Sequence, residues 1–383
     1  MTKVYNNQRI HGFDVARALA IGAMVMVNFD VIIGEHAIPV KWIAVAIEFL
    51  YGRAAATFVM LAGVSLALMA NRNGFTVIER PLASYLMRRC ALLLVTGLVL
   101  SLWWTADILH FYAFFISTGI WLLDRTDVWL RCLTAVALCI SIPVCAALTI
   151  VYDQYDLLPF MEKLGWSMRL LPDLVTSPNY SVFPWITFFM FGLLLGRKAA
   201  SGPAFFRRCA AVGAISCVAV ELFSATMVPW AESQGMEIMG NIWLTFIRSE
   251  AFPVTPLFIF SAGASAMFAI SLAIVLSTPP SNARFVFPAA AFGRLSLTMY
   301  VTHLILAGAV SAWLDKTLYP ITTLHVMFAA ILFCCVGICF SVIWLRFFRR
   351  GPLEMLFHQF SMGLYRRPFM RSPCRGSVSE GGS

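Results

Sequence analysis

Apolar residues run through this chain in long blocks, and the few polar residues that interrupt them carry most of the information. The first block, residues 9–36, reads RIHGFDVARALAIGAMVMVNFDVIIGEH. Taken as a helix, Asp14, Arg17, Ile21, Met24 and Asn28 fall at steps of three and four, so the polar groups share one face. Such a stripe on a membrane helix turns toward protein rather than lipid. From Arg17 to Asn28 the helix rises roughly 16 Å, so one residue sits near a membrane surface and the other deep inside. The rest of the chain is expected to be built around this stretch.

Further apolar blocks follow, each near the ~20 residues that a bilayer-crossing helix needs. They cover residues 42–70, interrupted by Glu48 and Arg53, a third ending near Trp104, 107–123, a fifth ending near Tyr152, 183–196, 210–230, 256–276, 288–313 and 321–347. Residues 153–181, with Pro159, Pro172 and Pro178, read as the first sizeable loop. The pattern predicts an all-α, polytopic integral membrane bundle of about ten transmembrane helices. Residues 1–354 form one transmembrane domain, and 355–383 a cytoplasmic tail, partly disordered.

Composition sharpens this. The 383 residues are 60% hydrophobic and 12% charged, with a mean hydropathy of +0.81, which excludes a water-soluble domain of this size. A net charge of +9 raises nucleic acid as a partner, yet the basic residues gather between apolar blocks and near the C-terminus. Counted in alternate connections, Lys and Arg fall on one side, which puts both termini in the cytoplasm and His36 outside. The first apolar run is too long for a cleaved signal and reads as a retained anchor. The ten cysteines include no CxxC and no zinc-like spacing, so they read as small buried hydrophobes, and no metal site is expected.

The candidate chemistry lies in four places, each with a bland alternative. Asp14 and Arg17 could be an interfacial ion pair with Arg17 snorkelling to headgroups, and Asn28 could be interhelical glue. His36 alone would be a solvated loop histidine, but it ends the polar stripe. Asp107, followed by His110 and Tyr112, could orient an imidazole for general-base work or simply cap a helix. Arg53 inside an apolar block demands a cavity or a partner. Ser296, Tyr300 and His303 fall at i, i+4 and i+7, a polar stripe that structural hydrogen bonding would also explain. Together these suggest proton-coupled transport or group transfer across the bilayer. A transporter or flippase of a small metabolite would use Asp14, Arg17 and His303 as coupling groups, but the two halves show no convincing repeat. A structural membrane partner is the third reading.

FDVARALAIGAMVMVN followed by GEH resembles the start of the catalytic region of the heparan-alpha-glucosaminide N-acetyltransferase family. DILHFYAF, FPWITFFMFGLLLGR, PVTPLFIFSAG, GRLSLTMYVTH and FRRGPLE resemble the YeiB-like bacterial membrane proteins of the same broad transmembrane acyltransferase group. Ala18 stands where the family has glycine after the helix-one arginine. The resemblance implies a multi-pass protein of the bacterial plasma membrane that moves an acyl group, with acetyl expected, from cytoplasmic acyl-coenzyme A to an amine or hydroxyl outside. The extracytoplasmic acceptor would be a sugar or another small molecule, and a homodimer is compatible with this. His36 would be the base or acyl carrier, Asn28 an oxyanion donor and Asp107 a catalytic partner. Asp14, Arg17, Arg53, Arg294, Tyr300 and His303 would line the acetyl-CoA site.

Overall fold

The computed structural model describes residues 10–34, 37–72, 80–102, 104, 106–155, 177, 180–234, 242–317 and 321–362. They form helices α1 (His11–Ile33), α2 (Lys41–Leu50), α3 (Arg53–Arg72), α4 (Arg80–Leu100), α5 (Leu109–Leu122), α6 (Asp127–Tyr155) and α7 (Val182–Arg197). The second half supplies α8 (Pro203–Ser233), α9 (Ile242–Ile247), α10 (Pro256–Ser277), α11 (Ala283–Arg294), α12 (Ser296–Thr317), α13 (Thr323–Phe347) and α14 (Pro352–Met362). The protein is an all-α polytopic membrane bundle. Among the described residues, eight helices are long and apolar enough to cross a bilayer, and the shorter apolar α5 and α7 stand where the fourth and sixth spans are expected.

Helix α1 is the centre of the bundle, packing against α3, α10, α11, α12 and α13. Its Phe13, Ala16, Ile21, Met24, Val25 and Phe29 are all buried. Lipid-facing helices show the opposite pattern. On α8 and α13, Ile215, Val218, Leu222, Phe328, Leu332 and Val336 are exposed apolar groups that water would not tolerate in such numbers.

Helix α7 is apolar all round and buried along most of its length, as a helix enclosed by others should be. Its close partner is α3, and glycine makes the approach possible. A Cβ on Gly192 would lie 2.0 Å from the Met60 carbonyl oxygen, and one on Gly63 2.1 Å from that of Phe189. Gly192 and Gly196 thus form a small-xxx-small seam, the arrangement that lets membrane helices touch backbone to backbone.

Two expected spans are broken. The second block divides at Gly52, whose φ of +65° is a left-handed conformation that a side chain adopts only under strain. The ninth divides at Leu295, between α11 and α12, where Gly293 presses against the Asp14 carbonyl of α1. Beyond Glu354, where the cytoplasmic tail is expected to begin, helix α14 continues to Met362 and packs against α4 and α12. A two-residue parallel pairing of Ala37–Ile38 with Ile321–Thr322 ties the chain after α1 to the start of α13.

Candidate functional site

Two cavities enter the bundle from opposite ends. The larger, about 370 Å³, is bordered by Arg17, Arg89, Arg294, Arg349 and Arg350, and by Phe58, Tyr112 and Tyr300. These aromatic residues are buried, at 8%, 6% and 1% exposure. The smaller cavity, about 180 Å³, is bordered by Asn28, Val31, Tyr51, Trp104, Tyr180 and Phe252. The residues of α1 fix the arrangement: Arg17, near its start, lines the first cavity, and Asn28 and Val31, near its end, line the second.

The wall between the cavities is polar at two points. Asn28 Nδ2 lies 2.9 Å from His303 Nε2. His303 is fully buried, and its Nδ1 lies 3.1 Å from the Met299 carbonyl, which can only accept. That assigns the proton to Nδ1 and leaves the Nε2 lone pair to take the Asn28 N–H. Phe29 and Phe333 flank the imidazole ring. One turn earlier on α12, the Tyr300 hydroxyl donates to Asp107 Oδ1 at 2.9 Å, its ring stacked with Phe58 and edge-on to His303.

Asp107 touches both the start of α5 and an imidazole. Its carboxylate is fully buried and accepts the Leu109 backbone N–H at 2.9 Å, which caps the start of α5. The other oxygen holds Tyr300, and His110 Nδ1 stands 3.4 Å from Oδ2. The imidazole beside Asp107 is therefore His110. His36 lies outside the described residues.

Of the six residues expected at the donor site, Arg17, Arg294 and Tyr300 line the larger cavity, and Asp14, Arg53 and His303 do not. Arg17 lines it, forms an ion pair with buried Asp14 and donates to Ser65 Oγ at 3.0 Å. It points into protein, which a lipid-snorkelling side chain would not do. Arg294 and Ser296 also line it. Arg53 does not. It pairs with Glu221 of α8, donates to Ser261 Oγ at 2.9 Å and to the Phe49 carbonyl at 2.9 Å, and lies 4.4 Å from the Phe49 ring centre. A guanidinium at the first turn of α3 meets the partner that its desolvation requires, and it lines neither cavity.

Two residues of the site carry no earlier assignment, both on α14. The Glu354 carboxylate accepts the backbone N–H groups of Leu297 and Thr298, at 2.8 and 3.1 Å, and the Thr298 hydroxyl at 2.6 Å. It thereby caps the helix that carries Tyr300 and His303. His358 lines the large cavity, with Nδ1 3.3 Å from Tyr85 Oη. Burial and the nearby Arg350 and Arg89 hold its pKa below the ordinary value. FRRGPLE was a legible motif, but nothing in it says which helix its glutamate would cap. Among the described residues, no group of three or more His, Cys, Asp or Glu is placed to hold a metal ion.

The family described as a protein of unknown function (DUF418) matches residues 194–363. No curated protein and no solved structure matches the chain. Residues 9–226, more than half of the chain, match the family described as heparan-alpha-glucosaminide N-acetyltransferase, catalytic, and with Asn28, Asp107 and the larger part of the arginine-lined cavity's walls inside that match, the chain belongs to that family of membrane acetyltransferase-like proteins.

Proposed function

We propose that this protein transfers an acyl group, acetyl first among them, from coenzyme A in the arginine-lined cavity to an amine or hydroxyl acceptor in the opposite cavity. The observation that carries the reading is the Asn28–His303 pair, whose asparagine lines the smaller cavity and whose histidine lies against Tyr300, which lines the larger.

The residues suit the donor. Arginine forks and a concentration of positive charge favour the phosphates of the nucleotide. A cavity of about 370 Å³ lies within the range of small-molecule sites, and its apolar lining by Phe58, Leu61, Leu66, Leu93 and Leu109 suits an extended thioester arm. The arginine-rich end would face the cytoplasm, where acyl-coenzyme A is made, in accordance with the positive-inside rule. The aromatic lining of the smaller cavity, Tyr51, Trp104, Tyr180 and Phe252, suits a sugar or other small ring.

For reaction the wall must part so that the thioester reaches Asn28. The acceptor N–H or O–H then takes the amide's place at His303 Nε2 and gives up its proton there as the acceptor atom attacks the thioester carbon. Asn28 Nδ2 donates to the carbonyl oxygen as negative charge develops on it. The C–S bond breaks, the sulfur leaves as thiolate, and the proton on Nε2 passes to it to give free coenzyme A. His36 is the base that the family resemblance favours, and His303 the one that geometry favours.

The test is purified protein in nanodiscs with acetyl-coenzyme A and a panel of amino sugars and polyols, followed by free thiol and mass of the acceptor. Acceptor-dependent thiol release that disappears in His303→Ala or His36→Ala is expected. Absence of coenzyme A binding by the wild type sinks the reading.

A further inference from the structure

Tyr112 and Tyr300 both line the arginine-lined cavity and both pack against Phe58, but among the described residues only the Tyr300 hydroxyl has a partner. The Tyr300 hydroxyl is held by Asp107 at 2.9 Å. Tyr112, on α5, lies beside Phe58 with ring centres 5.4 Å apart and is 6% exposed, yet its hydroxyl is enclosed and has no hydrogen-bond partner among the described residues. Buried hydroxyls nearly always have a partner, because the loss of water is otherwise uncompensated. Tyr112 also lines the cavity, so a molecule that enters there and uncovers the hydroxyl by a small shift of the ring can supply what the protein does not.

We propose that Tyr112 is a donor-recognising residue, whose hydroxyl hydrogen-bonds an amide of the extended arm of the acyl-thioester donor. The inference rests on the acyltransferase reading and adds to it a residue for the arm. Position selects the arm over the nucleotide. Of the cations that suit phosphate, Arg294, Arg349 and Arg350 line the same cavity at the junctions between helices and Arg89 lines it from α4, whereas Tyr112 stands among Phe58, Leu109 and Tyr300. A neutral hydroxyl in such surroundings matches a neutral amide, which can both give and accept one hydrogen bond, better than it matches a phosphate dianion.

The experiment compares two probes on the full chain in nanodiscs: coenzyme A, and adenosine 3′,5′-bisphosphate, which has the nucleotide phosphates and no arm. Tyr112→Phe removes one oxygen and keeps the ring, so the expected result is a loss of about three- to tenfold in coenzyme A affinity, the range for one neutral hydrogen bond. Affinity for the bisphosphate should stay within about twofold, which also shows that the variant is folded. Equal affinity of both proteins for coenzyme A overturns the inference and means that Tyr112 is satisfied by water. Equal loss for both probes also overturns it, since the hydroxyl would then serve the fold. Failure of the wild type to bind coenzyme A defeats the acyltransferase reading itself, a result distinct from either.

Discussion

Asn28 on α1 and His303 on α12, 275 positions apart in the chain, share a hydrogen bond of 2.9 Å in the wall between the two cavities. If that pair performs the transfer, each member should matter to rate and little to donor affinity. His303→Ala is expected to lower turnover by about 10²- to 10⁴-fold, the range for a general base. Asn28→Ala is expected to lower it by about 10²- to 10³-fold, as for an oxyanion donor. Coenzyme A affinity, measured by titration, should change little in both. A turnover unaffected by His303→Ala but abolished by His36→Ala would transfer the base to the histidine favoured by resemblance.

The bundle was legible because a bilayer leaves few solutions. Long apolar runs must become helices, and polar groups inside them must turn inward. Asp14, Arg17, Asn28, Tyr300 and His303 all stood out for that reason. Periodicity gives the face of one helix, however, and never its neighbour in space. It could not pair Asn28 with His303, nor find Glu221 for Arg53, since those contacts depend on how α1, α3, α8 and α12 are arranged. The residue itself leaves a cavity or a partner open for Arg53, the resemblance favours the donor cavity, and the packing supplies the partner. Helix α14 escaped because its 11 residues are too few to read as a span and its cap partner lies on another helix.

The Arg53–Glu221 pair makes a prediction opposite to that for a donor-binding arginine. Arg53 is 6% exposed and also holds Ser261, so Glu221→Ala leaves a charge with too few partners. Breaking such a pair costs about 3 to 5 kcal/mol, whereas replacing both members with apolar residues is often neutral. Glu221→Ala should therefore lower the melting temperature in detergent sharply, and Arg53→Met with Glu221→Leu should recover most of it. Coenzyme A affinity of the double variant should equal that of the wild type. A selective loss of affinity there would return Arg53 to the donor site.

His358 provides a pH dependence whose direction follows from its surroundings. Its pKa in the folded protein lies below the ordinary 6.5, because burial and the charges of Arg350 and Arg89 disfavour the imidazolium. Between the two values the unfolded chain holds a proton that the folded chain does not, so stability rises with pH across that window. The contribution is complete above about 6.5 and is lost as pH falls toward the folded value. Protonation at Nδ1 would also end its acceptance of the Tyr85 hydroxyl. Melting temperature measured from pH 5 to 8 should fall toward the acid end, and less steeply in His358→Gln. Identical slopes in the two proteins would assign the effect to other groups.

Glu354 links helix α14 to α12, the helix that carries Tyr300 and His303. Its carboxylate takes two of the free N–H groups at the start of α12, and the Thr298 hydroxyl in return accepts the Leu353 N–H at 3.2 Å. The two helix starts thus cap each other, with a carboxylate at the positive end of the α12 dipole. Glu354→Ala is expected to cost about 0.5 to 2 kcal/mol of stability. Thr298→Ala should cost less in that background than in the wild type, because the two residues act as one unit. The loss should reach function, since α14 contributes His358 to the donor cavity and α12 carries Tyr300 and His303. Coenzyme A affinity is therefore expected to fall with stability in Glu354→Ala and to recover in part in Glu354→Gln, whose amide oxygen can still accept an N–H. Were Glu354→Ala to keep full stability, the capping role would be lost, and with it the reason for the C-terminal helix to stand against the site.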